Sequence, residues 1–204
     1  MSKKRKKTAN FFIILLISIF FIIAVCNTTC IIKSYVNYKH NVVAWSNYNE
    51  NGIISEQYKY SDLNYGFGTV AKNGCGAMAV YNILKLENKN PYFPDIINKF
   101  DLCGENFFGL GGSKASRVIR VLKNYGLKTT YSLNVTNYER IAQNSKYSIY
   151  LYFAIQNGNL IGHYQLLTNF DGERYTTINS NGHLTFEEII NIKGTFFSMM
   201  IGVN

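Results

Sequence analysis

Proline is nearly absent from this chain, at 2 of 204 residues. That excludes a Pro-rich linker or stalk, and the apolar share of almost half excludes a disordered tail. Cysteine is scarce too, with four in all. No CxxC occurs and no histidine stands at zinc-ligand spacing, which excludes a zinc ribbon or finger. Cys26 and Cys30 lie in or beside an apolar run, so only Cys75 and Cys103 remain for the body of the chain, too few for a disulfide scaffold. One Cys75–Cys103 bridge is the remaining possibility for a structural protein. No Walker A motif is present, and the chain has too little length for an ATPase.

A dispersed basic charge is missing as well. The net charge is +9 from 21 basic and 12 acidic residues. Lys3, Lys4, Arg5, Lys6 and Lys7 supply five of those positive charges within the first ten residues. The remainder carries no Arg/Lys-rich face interleaved with aromatics, which argues against nucleic acid as a partner.

The basic cluster is followed by an apolar run from Phe11 to Cys26, interrupted only by Ser18. As a helix this run spans about 24 Å at ~1.5 Å per residue, against a bilayer core of ~30 Å. Continuation through Ile31 and Ile32 makes it long enough to cross. The division expected is a basic cytoplasmic N-terminus (1–10), a transmembrane signal anchor or cleaved signal peptide (11–32), a stalk (33–52) and one domain (53–204). Ala24-Val25-Cys26 is a weak cleavage site, which favours the anchor. The basic residues hold the N-terminus in the cytoplasm, so the domain is expected outside it, on a single-pass membrane protein or secreted after cleavage.

Within the domain, Ala79, Val80, Ile83 and Leu84 recur at helical spacing and predict a helix from Cys75 to about Leu86. A short helix through Ile96 and Ile97 follows Pro91 and Pro94. Gly109–Gly112 form a turn, and Ser113 is the expected N-cap of a helix closed by Gly126. The period then changes. Residues 127–133, 147–155, 160–170, 173–179 and 195–201 read as strands, with a short helix through Glu187 and Ile190. Helices first and an antiparallel sheet afterwards is the α+β pattern.

Two positions carry chemistry. Asn73-Gly74-Cys75-Gly76-Ala77 sets a thiol at the first turn of a helix, where the dipole favours thiolate, between glycines that leave room for a substrate backbone. His163 begins a strand after Gly162. If Phe170-Asp171-Gly172 form a three-residue hairpin loop, Asn169 faces Glu173 and His163 faces Asn179, whose carboxamide then holds the imidazole. A two-residue turn at Asp171-Gly172 puts Ser180 there instead. His40, in the stalk, and His183, beside an Asn-Gly turn, read as solvated.

These stretches resemble one family. Gly68–Val80 around Cys75, Gly112-Ser113 with the Arg117–Gly126 segment, Gly162-His163-Tyr164-Gln165-Leu166-Leu167 with Asp171-Gly172, and Ile178-Asn179 are together similar to the stand-alone relatives of the bacteriocin-leader-processing (double-glycine) cysteine peptidases. The resemblance implies a papain-like fold, a helical part packed on a C-terminal antiparallel sheet. It implies a peptide or protein substrate and no metal or cofactor. It also implies roles: Cys75 attacks, His163 accepts the proton, Asn179 orients the histidine, and Gln57 is the candidate oxyanion donor. The family usually carries Asp-Pro where this chain has Asn179-Ser180. The same triad serves a transglutaminase or a cell-wall amidase, and a catalytically degenerate peptide-binding module shares the fold.

Overall fold

The computed structural model describes residues 3–48, 52–101, 112–179 and 182–204, with side chains from Phe12 onward. Cys103, Ser180 and the Gly109–Gly111 part of the expected turn lie outside the described residues.

The architecture is α+β, as the order of helical and strand patterns implies. Helix α1 (Lys3–Trp45) runs without interruption through the apolar segment and beyond it. The first part exposes Phe12, Leu16, Phe20, Phe21 and Ile23 on every side and is long and apolar enough to cross a membrane, as an anchor or a signal sequence would be. The second part is no free stalk. Ser34, Asn37, Asn41, Ala44 and Trp45 recur at helical spacing and are buried in the domain. The reason is polar pairing. Asn37 Nδ2 donates to the Gly66 carbonyl (2.8 Å) and to Asp101 (3.0 Å). Asn41 exchanges two bonds with the Asn64 backbone at 2.8 and 2.7 Å, and Tyr38 donates to Asp95 at 2.8 Å. His40, exposed as expected, also reaches the Asp62 carbonyl at 2.8 Å. At the end of the helix Trp45 packs on Phe93 with ring centres 5.2 Å apart. A buried polar group is retained only where it is hydrogen-bonded, so the asparagines that look like a hydrophilic stalk are in fact a docking surface.

A short hairpin, β1 (Asn64–Tyr65) and β2 (Gly68–Thr69), leads through the single-turn α2 (Val70–Asn73) into α3 (Cys75–Leu86). Helix α3 is buried from Cys75 to Leu84, not on one face alone, because elements cover it on several sides. Its one mid-helix polar residue, Asn82, is satisfied by both backbone groups of Ile54 at 2.8 Å. Helix α4 (Phe93–Asp101) carries Pro94 in its first turn, where the missing N–H costs nothing, so the helix includes that proline rather than following it. Helix α5 (Ala115–Asn124) is capped by Lys114, without a side-chain bond, rather than by Ser113. Ser113 Oγ is instead bonded to the Tyr65 hydroxyl.

The remaining strands, β3 (Thr129–Ser132), β4 (Tyr147–Gln156), β5 (Asn159–Thr168), β6 (Arg174–Ile178), β7 (Gly182–Thr185) and β8 (Thr195–Val203), form one antiparallel sheet in the order β3-β8-β4-β5-β6-β7. Asn157 (φ 50°) and Gly158 (φ 77°) make the tight turn joining β4 to β5, the left-handed pair that matches strand twist. Both sheet faces are covered. Ile149, Leu151, Tyr164, Leu166 and Ile201 share a core with α3 and α5. Tyr150, Leu167, Tyr175 and Met200 share another with α6 (Tyr138–Gln143) and α7 (Phe186–Ile190).

Candidate active site

Cys75 is the first residue of α3, behind Gly74 as N-cap. It is a free thiol, 5% exposed, so no bridge to Cys103 forms. Burial pushes its pKa up, while the backbone N–H groups of Tyr164, Gly76 and Cys75 itself pull it down. Helix start and strand β5 therefore meet at the sulfur. The residue preceding Tyr164 on that strand is His163.

The flanking glycines do not leave room for substrate. A side chain at Gly76 would sit 2.6 Å from Ser113 and 3.3 Å from the Tyr164 ring, and one at Gly74 would sit 2.7 Å from the Val70 side chain. Each gap is filled from within the protein. Open space is found beside Cys75 in a cleft of about 260 Å³ lined by Lys72, Asn73, Cys75, Gly112, Phe153, Leu160, Ile161 and Gly162. Gly162 is what lets Phe153 lie there, since a Cβ at that position would be 2.7 Å from the ring.

His163 is half-buried, opposite Tyr152 in the β4–β5 ladder, with the two rings edge to face at 5.9 Å. Its Nε2 lies 2.8 Å from the backbone carbonyl of Asn179. A carbonyl only accepts, so Nε2 carries the hydrogen and Nδ1 of the neutral ring keeps the lone pair. Burial lowers the imidazole pKa and the Asn179 carbonyl raises it, burial being the larger cause. Burial likewise raises the phenol pKa values of Tyr152 and Tyr164, and the charge of a Cys75 thiolate adds to both.

The expected contact between imidazole and the Asn179 carboxamide is not made. Strands β5 and β6 pair with Leu166 facing Ile178 and Thr168 facing Thr176, two residues out of the expected register. The connection is longer than a three-residue loop because Asp171 Oδ1 accepts from the Glu173 and Arg174 N–H groups at 2.9 and 2.8 Å and builds its own turn. A shift of two keeps Asn179 on the His163 side of the sheet. Asn179 stands just past the end of β6 with φ 65°, a left-handed conformation that asparagine tolerates, and in this conformation its carbonyl is the group that meets the ring. Its carboxamide turns away and donates to Gln57 Oε1 at 3.0 Å.

Gln57 is bonded on both ends of its amide. Its Nε2 donates one N–H to the Val70 carbonyl at 2.9 Å, which leaves the second amide hydrogen for another acceptor. Gln57, Asn179 and His163 form one bonded chain, and Cys75 lies under the neighbouring residue of the same strand. The sequence reading missed the Asn179 carbonyl; the run Asn179-Ser180-Asn181-Gly182, rich in residues that adopt left-handed backbone, was the available signal. Tyr152, Phe153 and Asn73 were missed as site residues because nothing local marks them. Among the described residues no three His, Cys, Asp or Glu side chains cluster as metal ligands.

No family model matches the chain, and no curated protein does. Among solved structures it is similar to the crystal structure of the peptidase domain of Streptococcus ComA, a bifunctional ABC transporter involved in a quorum-sensing pathway. That match has 12% identity and a TM-score of 0.44, and covers 63% of this chain and 89% of that one.

Proposed function

We propose that this chain is a membrane-anchored cysteine peptidase of papain-like type that hydrolyses a peptide bond in an extracytoplasmic peptide or protein. The observation that carries the reading is the pairing of a free thiol at a helix N-terminus with the strand bearing a histidine whose Nε2–H is already committed to a carbonyl. Nδ1 is then the only basic ring atom. In the reaction, Cys75 transfers its proton to His163 Nδ1 and its sulfur attacks the scissile carbonyl. The tetrahedral oxyanion is met by the Cys75 N–H at the positive end of α3. His163 returns the proton to the leaving amine, and an acyl-enzyme remains. Water, deprotonated by His163, attacks the thioester and releases the second product and the thiol. Asn179 positions the base through its main chain, and Gln57 braces Asn179. The apolar half of α1 anchors the chain, with the Lys3–Lys7 cluster on the cytoplasmic side.

One set of observations favours a second reading, a non-catalytic peptide-binding module. Burial holds thiol and imidazole both toward their neutral forms, and the Gln57 amide gives one of its two hydrogens to the Val70 carbonyl. Alkylation of the full-length chain in detergent by iodoacetamide, mapped by mass spectrometry, decides between them. The peptidase reading expects Cys75 to label faster than a free cysteine at neutral pH and to lose that advantage in His163→Ala. Labelling no faster than free cysteine, and indifferent to His163, establishes the binding module. Incubation with peptides, an amine acceptor and peptidoglycan then separates hydrolysis from transglutamination and from cell-wall amide cleavage.

A further inference from the structure

The junction between the apolar half of α1 and the domain has a feature that a water-soluble surface does not explain. A helix rises ~1.5 Å per residue, so a bilayer core of ~30 Å takes about 20 residues. Counted from Phe12, the outer boundary of the core falls near Ile31 and Ile32. No break in α1 separates that level from the domain. Contact with the domain begins there, because Cys30, Lys33 and Ser34 face Gly66 and Phe67 across a narrow crevice. The turn between β1 and β2 is fixed against the helix by the bond from Asn37 to the Gly66 carbonyl, 2.8 Å, and by the left-handed φ of 56° at Gly66.

That turn carries Phe67 outward, 53% exposed. The Lys33 ammonium stands 5.8 Å from the centre of its ring. Ile32, Tyr35 and Val36 on the adjoining helix surface are each more than half exposed, and Lys39 lies 4.6 Å from the Tyr35 ring centre. Apolar groups with lysines beside them, level with the end of a membrane span, match the boundary zone of a bilayer. There aromatic rings sit among the headgroups, and lysine stems extend so that their charges reach the phosphates.

We infer that the β1–β2 turn is seated in the interfacial layer of the bilayer, with Phe67 as its anchoring side chain, so that the domain rests on the membrane surface instead of standing off it. This rests on the anchor reading given above. It deepens that reading by placing the catalytic cleft. A side chain at Gly68 would meet the Asn73 carboxamide at 2.5 Å, and Asn73 lines the cleft together with Cys75. The cleft is therefore tied to the seated turn through Asn73 and the α2 turn that follows β2 directly, and the substrates suited to it are polypeptide segments lying on the bilayer or emerging from it.

The test uses full-length protein in phosphatidylcholine vesicles whose acyl chains carry bromine close to the headgroup. Tryptophan is placed at Phe67, at Phe20 within the span, and at Tyr131, an exposed residue of the distant edge strand β3. The buried Trp45 supplies a constant background measured in the parent chain. With the turn seated about 5–10 Å into the headgroup boundary, Phe67→Trp emits to the blue of Tyr131→Trp and is quenched by the bromolipid, whereas Tyr131→Trp is not. Water-like, unquenched emission from Phe67→Trp beside a quenched Phe20→Trp overturns the inference and leaves the anchor standing. An unquenched Phe20→Trp removes the anchor, and the inference with it. Equal quenching at Phe67 and Tyr131 means indiscriminate adsorption and overturns the inference too.

Discussion

Replacing Asn179 with glycine tests which atom of that residue holds the His163 ring, the base of the proposed reaction. The substitution deletes the carboxamide and retains the carbonyl that accepts from His163 Nε2 at 2.8 Å. Glycine also accepts the left-handed φ of 65° without strain. What is lost is the bond to Gln57 Oε1, 3.0 Å long and partly buried, worth about 0.5–1.5 kcal/mol. Even if all of that loosened the ring, the reactivity of Cys75 would fall by no more than about tenfold. Were the carboxamide the orienting group, its removal would forfeit the contribution of the base, on the order of 10²–10⁴. Asn179→Ala makes the same deletion but adds left-handed strain of about 1–2 kcal/mol, so the expected order is parent, then Gly, then Ala. Gln57→Ala breaks the same bond from the other side and loses the bond to the Val70 carbonyl as well, so the double variant Gln57→Ala/Asn179→Gly is expected to be no worse than Gln57→Ala alone. The assay is the second-order rate of Cys75 alkylation at neutral pH. A loss of a hundredfold or more in Asn179→Gly, matched by Asn179→Ala, refutes the main-chain role.

Stability should plateau between the ordinary pKa values of imidazole and thiol, 6.5 and 9.0. With the His163 pKa lowered by folding, the unfolded chain binds the proton first as pH drops through 6.5, so stability falls on the acid side. With the Cys75 pKa raised, the unfolded chain ionises first above 9.0, so stability falls on the alkaline side. Melting temperature measured against pH checks both limbs; Cys75→Ser should flatten the alkaline one and His163→Phe the acid one. Gly76→Ala places a methyl 2.6 Å from Ser113 and is expected to cost about 1–3 kcal/mol by overpacking, read from denaturant unfolding; an unchanged midpoint contradicts the close approach. Asn37→Ala removes the donor to Gly66 and Asp101, a loss of about 1–3 kcal/mol for buried partners. It should speed proteolysis at the junction of helix and domain, and a protease-resistant variant would show that α1 is not held there by these bonds.

Much of this molecule is legible along the chain. The apolar run after five basic residues and the helix opening at Cys75 are local patterns of period and punctuation, and each stands where those patterns put it; the strand bearing His163 is also present, but it opens at Asn159, ahead of Gly162. Other features depend on partners the chain does not reveal locally. The asparagines of residues 37 and 41 look like a solvated stalk, because their polarity is visible and their docking partners, Gly66, Asp101 and Asn64, lie far downstream. Gly74 and Gly76 suggest space for substrate, but Val70, Ser113 and Tyr164 fill it.

The sequence by itself determined the class of architecture, the anchor-like segment and the thiol and imidazole nominated for chemistry, because periodicity and composition act over a few neighbouring residues. The tertiary structure alone decided how the imidazole is held. Asp171 builds a longer turn, β5 and β6 pair two residues away from the simplest register, and Asn179 presents its main chain to His163 and its side chain to Gln57. Hydrogen-bond direction depends on where backbone atoms arrive in space, and that is settled only when distant strands and helices pack together.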